Sequence, residues 1–384
     1  MDTERLTVLG IDVERADGSS PSSLDKLVRR LIDQPDVDRF LNSEQYFFAL
    51  LTSRLRDALD DGFDRRADGA LGELHRALYL LYEQNFAAPT TPQALNQFHP
   101  FPIRIRREIE RAWQAFETNR ARLIVDAIPA DPFTFAEAFR QLCVNHPLSR
   151  HPLFDFLEFK AKRDDLVAFM QRDSALILRF SDLVAMAMIG ADDEVRGELA
   201  TNLWDEMGNG DLSQRHTNQF RNLLAYVNGE AVSKSISSLG LAGLVDWQGL
   251  AGYNLHLFFS LHRTNYLKSV GCLGASELMD AAQYAKLLRG CARVGLDDQK
   301  RLAYYTNHVD DDLSHGETWL TNVIVPLVCK YPHHRSEIML GAEMRLNVTC
   351  DYFTSVLRHL VGTTQTISVG DIGPDLGDVQ RGRT

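Results

Sequence analysis

The stretch "AYYTNHVDDDLSHGETWL" (303–320) places two histidines and three consecutive aspartates among tyrosine, leucine, valine and tryptophan. On a helix turning roughly 100° per residue, His308, Asp312 and His315 project within roughly 60° of one another. Asp311 lies close to that face and Asp310 points nearly opposite, so helical geometry leaves Asp311 and Asp312 as rivals. Adjacent carboxylates repel and are costly to bury, whereas a bound divalent cation reverses the balance. Read alone, the stretch is equally well a solvated helix face with two surface histidines.

Helical spacing of apolar residues extends over most of the chain, as in "SLDKLVRRLID" (23–33), "EQYFFALLTSRLRDAL" (44–59) and "GELHRALYLLYEQNF" (72–86). Period-2 strands are missing, so the expected fold is all-α. The proline-punctuated "AAPTTPQALNQFHPFP" (87–102) separates these helices from "IRREIERAWQAFETNRARLIVD" (105–126), and "IPADPF" (128–133) makes a second break. The division that follows is an N-terminal helical extension over 1–127, a catalytic unit over 128–362 and a glycine-rich tail over 363–384. Within the catalytic unit, helices are expected at 133–145, 153–171, 173–189, 192–207, 213–228, 248–268, 276–293, 297–328 and 334–361. The string "GLAGLVDWQGLAG" (240–252) lacks the GxxxxGK[ST] lysine and a preceding strand, and reads as a loop rather than a phosphate cradle.

A chain of 384 residues with 45% hydrophobic residues, 24% charged residues and a net charge of −11 is an ordinary globular composition. The acidic balance argues against a nucleic-acid partner. No apolar run approaches the roughly 20 residues of a membrane span, and the start has no signal-peptide core, so a cytoplasmic protein is expected. The five cysteines are scattered, odd in number and without a CxxC pair, and read as reduced core thiols.

Other parts of the chain can complete a site around the opening stretch. In "TNLWDEMGNGDLSQRHTNQF" (201–220), Glu206 ends one predicted helix and His216 begins the next, with Gly208 and Gly210 able to reverse the chain between them. Glu277 in "CLGASELMDAAQYAKLL" (272–288) adds a carboxylate, whose plainer reading is a first-turn glutamate favoured by the helix dipole. Oxygen and nitrogen donors without thiolate suit non-haem iron or manganese better than structural zinc. Six such donors exceed the needs of one open catalytic metal and fit two metals that share carboxylates. No repeated Glu-x-x-His pair of the ferritin-like kind occurs.

The strings "NLWDEMGNGDLSQRH" (202–216), "GASELMDAAQYAKLLRGCARVGL" (274–296) and "YYTNHVDDDLSHGETWLTNVIVPL" (304–327), with "HPLSRHPLFDFLEF" (146–159) as a weaker echo, resemble the haem-oxygenase-like di-iron oxygenases, also called iron-containing redox enzymes. The resemblance covers roughly 146–330 and implies a haem-oxygenase-like helical bundle. It implies Glu206, His216, Glu277, His308, Asp312 and His315 as ligands of two iron ions, with O2 as co-substrate, and selects Asp312 over Asp311. Some members add a carboxylate on the first core helix, for which the nearest residue is Asp182, at a different spacing. The implied activity is oxygenation of the nitrogen of a small amine or amino acid in a specialised biosynthetic pathway. The alternatives are oxidative C–C cleavage of an amino or fatty acid at the same site, and a non-catalytic metal-binding helical module. A small-molecule substrate is expected, and the reading leaves room for an external electron donor and a homodimer. Arg263 and Lys268 read as solvated charges, the alternative being a grip on a substrate carboxylate, and His256 and His262 as core or surface residues, the alternative being the lining of a substrate pocket.

Overall fold

The structure, a computed structural model, describes residues 7–8, 11–12, 23–228 and 245–363, without the side chains of 7–8, 11–12, 175, 228, 280, 281, 310–314 and 363. Among the described residues the fold is all-α, and the only strand pairing is the two-residue antiparallel contact of Thr7–Val8 with Ile11–Asp12. Residues 364–384, the expected tail, and 240–244 of the glycine-rich string lie outside the described residues. The rest of that string departs from the loop reading, because Trp247–Leu261 is a helix and takes in Gly249 and Gly252.

Local chemistry explains where many helices begin. Three His-Pro dipeptides open helices in the same way: the proline at the first helical position needs no N–H partner, and the preceding imidazole accepts from the next backbone N–H. Phe101 donates to His99 Nδ1 at 3.2 Å, Leu148 to His146 Nδ1 at 3.1 Å and Leu153 to His151 Nδ1 at 3.2 Å. Asp131 caps Pro132–Asn145 by accepting from Thr134 N at 2.8 Å.

The expected helix boundaries shift inside the catalytic unit. The segment expected as 153–171 is two helices, Pro152–Phe159 and Arg163–Ile177, and the next runs only over Phe180–Met188. The expected 276–293 helix begins at Asp280, and the residues before it belong to a separate helix, Tyr266–Glu277. The expected 297–328 helix is Ala303–Trp319, a π turn over Leu320–Ile324, and Val325–Lys330. A π turn inserts one residue into the ladder and leaves no composition signal.

Two hydrophobic cores form. One gathers Phe139, Phe154, Phe169, Phe220, Tyr305, Trp319 and neighbours from the helices after residue 128. The other joins the N-terminal helices to Trp247–Leu261 through Leu74, Leu78, Trp113, Leu250, Leu257 and Phe258. Every residue from Leu250 to Phe259 is buried, as expected of a helix walled in on all sides. Beside it, the buried Tyr266–Glu277 helix crosses the long Arg335–Thr363 helix at glycine contacts. A Cβ on Gly341 would stand 2.1 Å from the Lys268 carbonyl oxygen, and one on Gly271 would stand 1.9 Å from that of Ile338.

Polar groups close the seam between the N-terminal helices and Trp247–Leu261. Glu110, fully buried on Pro100–Arg120, accepts from Tyr82 Oη at 3.0 Å and lies 2.9 Å from His262 Nε2. Asn254 donates to the His75 carbonyl at 2.9 Å. His262 is therefore a seam residue. His256 is a core residue 3.6 Å from Cys272 Sγ, and burial, its largest influence, pulls its imidazole well below the ordinary range. Lys268 departs from the solvated-charge expectation, since it is buried and paired with Glu337. The core-thiol reading holds for Cys143, Cys272 and Cys291, while Cys350 is half-buried and Cys329 is exposed. Among the described residues no helix is long and apolar enough to cross a membrane.

Candidate metal centre

Glu206 is the last residue of the helix Asp193–Glu206, and His216 is the first of His216–Asn228. Between them Gly208, Asn209 and Gly210 take φ of 70°, 53° and 88°, the left-handed region that lets the chain turn back within a few residues. A side chain at Gly208 would stand 2.4 Å from Arg215 N, so the turn closes against the glycine's bare backbone. The turn brings His216 Nδ1 to 3.1 Å from Glu206 Oε1, with both residues buried.

His308, on Ala303–Trp319, completes this group. One donor atom each from Glu206, His216 and His308 lie within 4.8 Å of one another, and the His216 and His308 rings are 4.5 Å apart between centroids. His308 Nδ1 lies 2.6 Å from the Tyr304 carbonyl oxygen, which can only accept, so the proton resides on Nδ1 and Nε2 presents its lone pair. Burial, then the neighbouring His216, pulls the His308 imidazole down to about 4 and keeps it a neutral donor. Burial alone would raise Glu206, yet the hydrogen bond from His216 and the charges of His216, His308 and His315 hold it below the usual carboxylate range.

A second group stands beside the first. Glu277 Oε2 is 3.6 Å from His315 Nδ1, and Glu277 Oε1 accepts from Asn202 Nδ2 at 3.0 Å. The other nitrogen of His315 is 3.2 Å from Asp205 Oδ2. Asn202 and Asp205 carry no local signal in the sequence, because their roles depend on Glu277 and His315, on helices distant along the chain. Glu277 departs from its first-turn reading: it closes the C-terminal end of Tyr266–Glu277. Glu206 has the same position on its own helix. Both buried carboxylates thus sit at the negative end of a helix dipole, where a nearby cation is the favourable company.

Asp312 lies within the 303–319 helix, but its side chain, with those of Asp310 and Asp311, falls outside the described residues. Asp182 does not join the other residues: it accepts from Arg179 Nη1 at 3.4 Å and does not line the cavity they face. A carboxylate nearby in the chain that does line this cavity is Asp173, on the preceding helix Arg163–Ile177.

The cavity, of about 90 Å³, is lined by Glu206, His216, Glu277, His308, His315 and Asp205 on one side and by Phe154, Phe169, Phe180 and Phe353 elsewhere. A single water needs roughly 10–15 Å³ on this measure, so there is room for several water-sized groups. The donor set is imidazole and carboxylate, with no cysteine in the lining, which fits iron and disfavours a thiolate-rich metal. If iron is bound here, Glu206, His216 and His308 would hold it from one side and Glu277 and His315 from the other.

A family model described as iron-containing redox enzyme matches residues 167–349, starting later and ending further on than the motifs alone suggest. No curated protein matches the chain. Residues 167–349, which carry both donor groups, are similar to the iron-containing redox enzyme family.

Proposed function

We propose that this protein is a non-haem di-iron oxygenase that oxygenates the nitrogen of a small amine or amino acid in a specialised biosynthetic pathway. The observation that carries the reading is the pair of donor groups, Glu206–His216–His308 and Glu277–His315, facing one largely apolar cavity. Iron bound by these side chains would supply the activation of O2. In the reaction, one oxygen atom enters an N–H bond to give N–OH and the other leaves as water, with two electrons and two protons from an external donor.

The protein's own residues set the conditions. His308 is fixed by the Tyr304 carbonyl, so its Nε2 keeps one direction. His315 is held between Glu277 and Asp205, which fix its ring plane and raise its donor strength. The phenylalanines of the cavity exclude bulk water and thereby shield the oxidant from side reactions.

Anaerobic loading with ferrous iron, followed by metal counting, O2 uptake and mass spectrometry with 18O2 across amines and amino acids, tests the reading. Two irons per chain and a product gaining one 18O on nitrogen support it. A chain that takes up no iron sinks it, and a carbon-chain fragment in place of an N-oxygenated product replaces it with C–C cleavage.

A further inference from the structure

The cavity contains a cation to which the metal centre gives no role. Arg345, on Arg335–Thr363, lines the cavity together with Glu277 and His315. Its Nε donates to Ser276 Oγ at 3.0 Å and its Nη1 to Thr349 Oγ1 at 2.7 Å. Each hydroxyl is itself anchored to a helix carbonyl: Thr349 donates to the Arg345 oxygen at 2.8 Å and Ser276 to the Cys272 oxygen at 3.3 Å. A hydroxyl has one proton, so with that proton spent on a carbonyl, its lone pairs are what face the guanidinium. Arg345 is thus held in one orientation before any ligand arrives.

What the guanidinium lacks is a negative partner. Among the described residues no carboxylate lies within ion-pair distance of Arg345, whereas Arg120, Arg140, Arg179 and Arg289 each have one. Among the described residues two of its five N–H groups are used, leaving one on Nη1 and both on Nη2 as donors for a carboxylate. Space beside it is kept by Gly252, where even a Cβ would stand 3.7 Å from Nη1. Ser276 precedes Glu277 in the chain, so an anion held by Arg345 would sit alongside the second donor group. The cavity wall also carries Arg172, and against these two cations stand the carboxylates Asp173, Asp205, Glu206 and Glu277.

We infer that Arg345, oriented by Ser276 and Thr349, is the carboxylate-binding residue of this cavity, so the substrate is an amino acid or another carboxylic acid rather than a simple amine. This rests on the functional reading above and narrows its substrate class.

Binding to the iron-free full chain tests the inference independently of turnover. The probes are L-amino acids, each paired with its decarboxylated amine and with the carboxylic acid lacking the amino group, and the readouts are the melting shift and Kd. At least one carboxylate-bearing probe should bind wild type at least about tenfold more tightly than its matching amine, the scale of a charge-assisted hydrogen-bond pair. Arg345→Gln should abolish that preference, Arg345→Lys should restore part of it, and Thr349→Val should weaken it through loss of orientation. The paired acids then tell whether the amino group is read as well. Failure of every carboxylate probe to bind, equal binding of amine and amino acid, or an unchanged preference in Arg345→Gln overturns the inference. Iron content of the same variants separates the two readings. Wild type without iron uptake defeats the oxygenase while the binding comparison stands, and loss of iron in Arg345→Gln overturns the inference by making Arg345 a support of the metal centre.

Discussion

Glu206 Oε1 and His216 Nδ1 lie 3.1 Å apart although nine residues stand between them, and the contact exists because the chain reverses at Gly208 with φ of 70°. Gly208→Ala would impose both a left-handed alanine and a clash with the Arg215 backbone. The expected result is a loss of about 1–3 kcal/mol in denaturant unfolding together with loss of iron uptake. Wild-type iron content in this variant would mean that Glu206 and His216 need not meet for metal binding.

Asp205 grips the far nitrogen of His315 at 3.2 Å. Asp205→Asn keeps the shape and removes the charge, so iron affinity should fall by about 10–100-fold with stability nearly unchanged. Competition against a graded series of chelators gives the number. Glu277→Ala should lose more, and an unchanged affinity there would remove Glu277 from the ligand set.

Acid should unfold the N-terminal core first. Burial pulls the His75 imidazole down to about 3 from 6.5, and its ring stacks on Trp247 at 5.5 Å and meets Trp113 edge-on at 4.9 Å. A depressed histidine is neutral in the fold, and the unfolded chain binds the extra proton. Stability is therefore full above about 6.5 and falls as pH drops toward 3. At pH 4 the loss from this one group is about 3 kcal/mol. Tryptophan fluorescence followed in urea at pH 7 and pH 4 should register the change, and His75→Leu should flatten the pH dependence. His151 acts in the same direction: burial pulls it to about 4, and the cap it gives Leu153 N requires a neutral ring.

At the crossing of Tyr266–Glu277 with Arg335–Thr363, Gly341 touches the Lys268 backbone, a contact no rotamer change can relieve. Gly341→Ala should cost about 3 kcal/mol, the upper part of the range for overpacked cores. Because this crossing sets Arg345 over Ser276, binding of carboxylate probes should weaken in parallel. A melting temperature equal to wild type would contradict the close approach.

The all-α character was legible because the apolar period of 3.6 is strong in segments such as 44–59, where Phe47, Leu51 and Leu55 are indeed buried. Glu206, His216 and His308 were legible as one group because glycines marked the turn and a single helix carried the histidine face. The break after Glu277 was not, since neither glycine nor proline stands at Leu278 or Met279 and apolar spacing continues across it. The same reason hid the interruption at Leu178–Arg179, and with it the preference of the cavity for Asp173 over Asp182. Asp205, Ser276 and Arg345 carry no local signature at all. Their meaning comes from partners on other helices, which spacing along one segment cannot express.

The 247–261 helix packs into the second core and also opens, through Gly249 and Gly252, onto the cavity. It works as a party wall: the N-terminal helices lean on one side while a substrate would rest against the other. Neither room can be rebuilt alone. Cutting the chain at residue 127 would strip the wall of Leu74, Leu78 and Trp113 and turn its apolar side chains to water, and enlarging Gly249 to admit less substrate would press on Val245 and Tyr352. A helix so enclosed ties the width of the reaction chamber to the integrity of a segment that contributes no side chain to the metal centre.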